Sequence, residues 1–378
     1  MVTSEQRPML RFLIVQTAAS VVGLQCWMIL FNNFAVEIAG LDGLQVGIIG
    51  SVREIPGFLA LLAVFVMLVI REHRLSALSI VFLGIGTALT GFLPSFSGLI
   101  ITTLIMSFGF HYYETTNQSL TLQYFSTATS PLIFGRLRSL AAATSIVVGL
   151  LLYLMGLVFS YRTMFLTIGG LVVAAGIWGL LQDPTHQQVA PQHRKMIFRR
   201  RYSLYYFLTF MAGARRQIFI AFSVYLLVKV FHFTVTEITL LFVVNNAVNF
   251  VLSPAIGRAI VRFGERWILS IEYGGLIGVF LVYAFTDSKL LVVAMYILDH
   301  ILFNFAIAIR TYFQKVADPA DIAPSMAVGF TINHIAAVVM PAIGGALWMI
   351  DYRIPFVAGA LLSLVSLLAV QRIPRFAE

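Results

Sequence analysis

The sequence predicts an all-α membrane protein that crosses the bilayer twelve times, as two bundles of six helices. Of its 378 residues, 60% are hydrophobic and only 11% are charged, and the mean hydropathy is +0.92. Soluble domains carry about 45–50% apolar and about 25% charged residues, so a single globular core cannot hide this excess. The composition excludes a disordered chain and a soluble enzyme. It is also too apolar for an outer-membrane barrel, in which polar and apolar residues alternate along each strand.

Apolar runs that are long enough to cross a bilayer define the predicted helices. The first six lie at about 10–37, 44–70, 75–93, 97–125, 138–159 and 163–182. The second six lie at about 204–230, 236–260, 267–286, 290–316, 324–349 and 354–371. The first run is too long for the apolar core of a cleavable signal peptide, so we expect it to stay as an anchor. We therefore predict an N-terminal bundle over residues 1–182, a cytoplasmic linker over 183–203 and a C-terminal bundle over 204–378.

Basic residues are distributed unevenly between the two predicted sides of the membrane. If alternate loops lie on opposite sides, seventeen Lys and Arg residues share the side of the N-terminus and four lie on the other side. Cytoplasmic loops carry such an excess, so we expect both termini in the cytoplasm and a multi-pass protein of a bacterial cytoplasmic (inner) membrane. The net charge of +9 then reflects orientation and attraction to anionic lipid headgroups, and we expect no nucleic-acid partner.

Motifs of enzymes and of resident metal sites are missing from the sequence. Cys26 is the only cysteine, which excludes an internal disulfide and a multi-cysteine metal site. The sequence has no glycine-rich phosphate loop with Lys-Ser/Thr and no His-Glu-x-x-His motif. We therefore expect neither an enzyme nor a cofactor.

The chain repeats itself at about half its length. The segment SYRTMF (160–165) recurs as DYRIPF (351–356), and QYFSTATSP (123–131) recurs as TYFQKVADP (311–319). The two halves are therefore parallel copies that insert into the membrane the same way up.

Two parallel six-helix halves with cytoplasmic termini and a long middle loop resemble the major facilitator superfamily. The loop GRAIVRFGERWIL (257–269) is similar to that superfamily's signature, G-x-x-x-D-R-x-G-R-R, although Val261 replaces the acidic residue and Glu265 a basic one. Four residues match the signature: Gly257, Arg262, Gly264 and Arg266. The resemblance covers essentially the whole chain. It implies a monomeric secondary transporter whose halves rock around a central cavity lined by helices 1, 4, 7 and 10.

Polar residues inside apolar runs are costly, so they mark candidate sites. They concentrate on runs 4, 7 and 10, where the resemblance expects the cavity. Because arginine keeps its charge and forks onto carboxylate or phosphate, we predict a small anionic or zwitterionic solute. Its predicted contacts are Asn32, Tyr112, Arg215, Arg216, Asn304 and Arg310. Asp299 and Arg310 are eleven residues apart, which is three helical turns, so we predict that they share a face about 16 Å apart.

Proton coupling is predicted at titratable residues of the same runs, since a carboxyl group removed from water gains a proton more readily and imidazole titrates near neutral pH. These residues are His111, Glu114, Asp299 and His300. Residues near helix ends and in the signature loop are predicted to act in gating: Arg53, Glu54, Arg262 and Arg266. As an alternative, Arg215 and Arg216 only form ion pairs with Glu114 or Asp299 and do not contact the solute. Glu272 lies near a cytoplasmic helix end and receives no role.

Three other functions stay open. A drug-efflux antiporter of the superfamily often carries Gly-x-x-x-Gly-Pro-x-x-Gly-Gly in helix 5, whereas run 5 has no proline and only MPAIGG (340–345) is similar. A divalent metal transporter has plausible ligands, although four intramembrane arginines would repel a bare cation. These ligands are His111, Glu114, Asp299, His300 and His334. A non-transporting receptor or assembly factor is the third. The expected partners are thus a small solute, protons and membrane lipids.

Overall fold

The structure is a computed structural model that describes residues 2–186, 189–193 and 195–374. Arg194 and Arg375, which contribute to the predicted cytoplasmic charge, lie outside the described residues. The described ranges are mostly helical and contain no β-strand. The all-α fold class is therefore confirmed.

In the described ranges, twelve helical segments follow one another, and we number them α1 to α12. The first six are α1 Arg7–Asn33, α2 Gly43–Phe58, α3 Glu72–Thr90, α4 Phe96–Tyr124, α5 Ser130–Gly156 and α6 Tyr161–Leu180. The second six are α7 Ser203–Ile218, α8 Val235–Phe263, α9 Glu265–Phe285, α10 Lys289–Phe303, α11 Ile322–Ile350 and α12 Arg353–Val370. Within the described residues, ten of these regions are long and apolar enough to cross a membrane. With α7 and α11 they make up the predicted twelve.

Four segments continue beyond an irregular turn. A π-helical turn, Phe34–Ile38, extends α1, and another, Phe219–Ser223, joins α7 to the helix Val224–Lys229. Turns of 3₁₀-helix do the same in α2 and α10: Leu59–Leu62 leads to Ala63–Val66, and Asn304–Ala306 leads to Ile307–Val316. The turn in α2 follows Pro56, whose missing N–H removes a backbone hydrogen bond from the helix.

Helix starts carry the side chains that cap free backbone N–H groups. The Asp42 carboxylate accepts from the Gln45 N–H at the start of α2, and Thr234 and Glu237 form the same reciprocal capping box at α8. Gly264 separates α8 from α9 with a φ of +76°, a conformation that favours glycine. These local signals set the helix boundaries in the polar loops.

Close contacts divide the chain into two compact units. The first unit contains residues 1–126, 140–197 and 318–331, and the second contains 127–139, 198–317 and 332–378. The domain boundaries predicted from the sequence, 1–182, 183–203 and 204–378, stay a prediction.

In the first unit, α3 packs between α4 and α6 at glycines. A Cβ atom on Gly86 would lie 2.3 Å from the Met106 backbone nitrogen, and one on Gly109 would lie 2.3 Å from the Leu83 nitrogen. Such distances leave no room for a methyl group, so these helices touch backbone to backbone.

In the second unit, α9 packs against α12 through aromatic rings. The Tyr283 and Phe356 rings lie 5.3 Å apart, and a Cβ on Gly359 would lie 3.1 Å from the Phe280 ring. This contact holds α9 and α12 beside α7, and so brings charged residues of α7 and α9 together.

Candidate functional site

Arg215, near the end of α7, is buried in the second unit with 3% of its surface exposed. Its Nη1 donates a hydrogen bond to the Ser366 hydroxyl of α12, and its Nη2 lies 3.8 Å from Oε1 of Glu272 in α9. The guanidinium also lies over the Tyr273 ring, 4.4 Å from the ring centroid. Contacts with two other helices hold this cation in one orientation.

A small cavity brings Arg215 together with Arg216, Glu272 and Asp299. Its volume is about 20 Å³, which is enough for about one water molecule. Glu272 and Asp299 are each 3% exposed, and one oxygen of each, Oε2 and Oδ2, accepts no hydrogen bond from the described residues. The enclosure therefore holds two basic and two acidic groups among apolar side chains, where an ion without a counter-ion is costly.

Three of these four residues were predicted as site residues from the sequence, namely Arg215, Arg216 and Asp299. Glu272 was missed. An acidic residue inside an apolar run is a signal in itself, but Glu272 was assigned to a cytoplasmic helix end because it lies in the first half of α9. The fold turns it towards Arg215, and hydropathy does not reveal which face of α9 meets α7.

Asn304 and His300 belong to a polar network in the same unit. The Asn304 amide donates to Asn249 Oδ1 (2.7 Å) and to the His300 carbonyl (2.9 Å), and its oxygen accepts from Arg138 Nε (2.8 Å). Nδ1 of His300 lies 2.9 Å from the Tyr296 carbonyl oxygen. Because a carbonyl only accepts, this nitrogen carries the proton. Arg138 is one of the seventeen basic residues that were assigned from the sequence to the cytoplasmic side, and it lies about two turns inside α5.

Arg310 does not line the cavity that contains Asp299. Its guanidinium lies 5.7 Å from the centroid of the Phe134 ring. The shared face predicted for these two residues assumed one regular helix, whereas a 3₁₀ turn at Asn304–Ala306 interrupts it. Because a 3₁₀ turn has three residues per turn, it rotates the following side chains by roughly 60° relative to a continuous α-helix.

In the first unit, the predicted site residues of α4 contact other residues of the same unit. The Tyr112 hydroxyl donates to the Leu59 carbonyl at 3.3 Å, and Glu114 Oε2 accepts from Gln118 at 3.2 Å. The buried His111 ring lies 5.9 Å from the Phe330 ring. The three predicted residues lie on one helix, and two of them contact residues outside it. Asn32 is exposed on α1.

The residues predicted to act in gating form two separate groups, one in each unit. Arg53 and Glu54 of α2 form an ion pair of 2.8 Å, and Arg53 also lies 5.6 Å from the Trp27 ring centroid. In the signature loop, the Arg266 guanidinium donates to Gln371 Oε1 at 3.0 and 3.2 Å, whereas Arg262 lies 5.2 Å from the Phe263 ring.

Glu265, where the signature has a basic residue, is buried and forms an ion pair of 2.9 Å with Lys315 after α10. The loop therefore makes its own polar contacts with the ends of α10 and α12. Gating by Arg53, Glu54, Arg262 and Arg266 stays a prediction.

Comparison with known protein families shows which family the chain belongs to. The family model described as Major Facilitator Superfamily matches residues 13–319 and, in a second match, 205–376. The chain belongs to the major facilitator superfamily. It is therefore a multi-pass membrane transporter and not an enzyme. Among curated proteins, none matches the chain at a significant level.

Solved structures of this superfamily share the fold across the whole chain. The fucose:proton symporter FucP of E. coli has a TM-score of 0.78 at 13% identity, covering 99% of this chain and 100% of its own. A bacterial homologue of the iron transporter ferroportin has a TM-score of 0.76 at 13% identity, with 96% and 98% covered. The human organic anion transporter MFSD10 has a TM-score of 0.75 at 12% identity, with 98% and 100% covered. At these identities the likeness concerns the fold alone.

Proposed function

We propose that this transporter moves a small anionic or zwitterionic solute by alternating access, and that a proton binds together with the solute. The observation that carries the proposal is the group of buried Arg215, Glu272 and Asp299 and half-buried Arg216 around one small cavity. It combines cations that recognise an acidic solute with carboxyl groups that bind protons.

Solute binding is coupled to proton binding because the solute and the two carboxyl groups compete for Arg215. Arg215 faces Glu272, with Asp299 on the same cavity. A negatively charged solute group near Arg215 would add a third negative charge to an apolar enclosure, which is unfavourable. When one of the two carboxyl groups is protonated, Arg215 is free to pair with the solute instead. Solute and proton therefore bind together, and for a singly charged anion no net charge is added to the site.

The other predicted residues complete this scheme. Arg216 and Arg310 join Arg215 in contacting the solute. Tyr112, Asn32 and Asn304 orient it, and His111, Glu114 and His300 assist proton transfer. The proton-coupled FucP and the organic anion transporter MFSD10 share the fold, which makes both properties reasonable to test here. The excess of basic residues on one side supports a bacterial cytoplasmic membrane with both termini in the cytoplasm.

A ligand screen identifies the solute class first. The purified protein is heated with organic anions, amino acids, sugars, drugs and divalent metals, because a ligand that binds the native state raises its melting temperature. We expect stabilisation by anions that is lost in Arg216→Gln. Stabilisation by divalent metals alone would contradict the proposal and favour a cation transporter.

Asp299→Asn tests the coupling in proteoliposomes. Because asparagine resembles a carboxyl group that is permanently protonated, we expect solute exchange between the two sides to continue. Accumulation driven by a pH gradient should fall to background. Asp287→Asn, in an exposed loop, is the control and should accumulate solute normally. Normal pH-driven accumulation by Asp299→Asn would refute proton coupling at this residue.

A further inference from the structure

The first unit contains a basic groove between the start of α1 and the end of α6. Its volume is about 310 Å³, and its lining includes Arg7, Arg11, Trp178 and Gln182. Arg7 and Arg11 are one helical turn apart and so project from the same side of α1. The Arg11 guanidinium lies 5.7 Å from the centroid of the Trp178 ring.

The two helices that form the walls of the groove, α1 and α6, are held in fixed positions relative to each other. Five residues beyond Arg11, the buried Gln16 side chain donates a hydrogen bond to the Ala175 carbonyl of α6, with an N–O distance of 3.1 Å. A Cβ on Gly179 would lie 2.4 Å from Nε2 of Gln16, so the two helices are in close contact here. The groove is therefore formed before any ligand arrives, which lowers the entropic cost of binding.

The charge of the groove is positive. Asp183 also lines it, but its carboxylate accepts hydrogen bonds from the Thr185 hydroxyl (2.5 Å) and N–H (3.2 Å) and lies 3.5 Å from Arg71. The Thr185 hydroxyl holds the pKa of Asp183 below its usual value, so this carboxylate is ionised but already engaged. Within the described part of the chain, neither Arg7 nor Arg11 forms an ion pair.

Exposed apolar side chains begin directly beside these arginines. Ile14, one turn along α1 from Arg11, is 41% exposed, and Ile177, next to Trp178 on α6, is 47% exposed. A tryptophan beside arginines, followed by exposed aliphatic residues, is typical of the boundary between lipid headgroups and acyl chains. The groove therefore opens where a phosphate and two acyl chains would meet the protein.

The second unit contains the repeat-equivalent groove, between the start of α7 and the end of α12, with a volume of about 580 Å³. On the α7 side, Ser203 and Phe207 line this groove. Aligning DYRIPF with SYRTMF places Ala369 at the position of the α6 tryptophan. Among the described residues that line this groove, Arg372 is the one basic residue. The two arginines and the tryptophan are thus a property of one groove and not of the repeated architecture.

We propose that the groove of the first unit binds the headgroup of an anionic phospholipid. Arg7 and Arg11 contact its phosphate, Trp178 holds the Arg11 guanidinium in place, and the acyl chains run over Ile14 and Ile177. Basic pockets between transmembrane helices on the cytoplasmic side bind such headgroups in other membrane proteins.

Lipid binding to the purified full-length protein tests this proposal. Native mass spectrometry measures the lipid-bound fraction in detergent containing phosphatidylglycerol or phosphatidylcholine. We expect wild type to bind phosphatidylglycerol more tightly. The double variant Arg7→Gln with Arg11→Gln should bind it about twenty-five-fold more weakly, because each basic residue at an anionic surface contributes about fivefold. Arg372→Gln changes the equivalent groove and should bind like wild type.

Three results would overturn the proposal. They are equal binding of the two lipids by wild type, unchanged phosphatidylglycerol binding in the double variant, and an equal loss in Arg372→Gln. Displacement of the lipid by millimolar inorganic phosphate would indicate a site for a soluble anion and would also overturn it. If the double variant unfolds without lipid, the single variant Arg7→Gln, in the exposed first turn, replaces it and should bind about fivefold more weakly.

Discussion

Replacing Arg215 by glutamine should destabilise this protein more than replacing any exposed arginine. Glutamine keeps a hydrogen-bond donor for Ser366 but removes the positive charge. Glu272 and Asp299 then share the cavity with Arg216 as the remaining cation that lines it. Removing one partner of a buried ion pair costs about 3–5 kcal/mol, because the other charge stays buried without compensation. Since Arg215 Nη2 and Glu272 Oε1 are 3.8 Å apart, we expect a value near the lower end, about 3 kcal/mol.

The assay is unfolding of the protein in mixed micelles by increasing mole fractions of SDS, followed by circular dichroism. A double-mutant cycle with Glu272→Gln separates the charge interaction from general damage to the packing, because it measures the coupling of the two residues. If the cost arises from an uncompensated carboxylate, the double variant should recover most of the lost free energy of unfolding. The control is Arg262→Gln, which removes an exposed arginine and should change stability by less than about 0.5 kcal/mol.

Two results would refute this reasoning. The first is a free energy of unfolding for Arg215→Gln within about 0.5 kcal/mol of wild type. The second is a double variant that is as unstable as Arg215→Gln or less stable, because the lost stability would then come from packing and not from charge.

Two further predictions concern the rest of the fold. Gly86→Ala should lower the free energy of unfolding by about 1–3 kcal/mol, because its Cβ would lie 2.3 Å from the Met106 nitrogen. The control is Gly149→Ala, whose Cβ would have nothing within 4 Å and which should leave stability unchanged in the same SDS titration. Lys289 and the capping hydrogen bonds of α8 lower the pKa of Glu237 from 4.5 to about 2, so Glu237 contributes stability above pH 4.5 that is lost as the pH falls towards 2. Melting temperatures of wild type and Glu237→Gln should therefore differ at pH 7 and converge over that range; a difference that persists at pH 2 would contradict this.

The sequence predicted the transmembrane architecture well because the bilayer imposes it. Hydropathy and spacing were sufficient for the twelve helices, since every segment within a membrane must be helical and apolar unless it faces protein or water. The prediction was less accurate at the start of α5, which begins at Ser130, whereas the apolar run begins at 138. The first two turns of α5 mix apolar residues with Ser130, Gly135 and Arg136, and they contact α8: a Cβ on Gly135 would lie 2.6 Å from the Ser253 carbonyl oxygen. This tertiary contact leaves no trace in hydropathy.

The candidate site was predicted in part for a similar reason. The cost of burying charge drew attention to Arg215, Arg216 and Asp299 individually. Their assembly with Glu272 depends on the rotation of α9 about its own axis, which is fixed by its packing against α12. The irregular turn at Asn304–Ala306 was equally invisible, because nothing in a run of apolar residues indicates where a helix tightens. It changed the direction of the residues that follow, including Arg310.

The glycine contacts of α3 determine which parts of the first unit can change shape. Where backbone meets backbone, there are no side-chain rotamers to rearrange, and a shift of one residue would push a Cβ into a main-chain atom. The helices α3, α4 and α6 therefore form a stiff block with a single register. Bending in this unit must be absorbed elsewhere, and the π-helical turn after α1 and the 3₁₀ turn after α2 are places where the backbone already departs from regular helix. The stiff helices and the helices that can bend are thus different members of the same bundle.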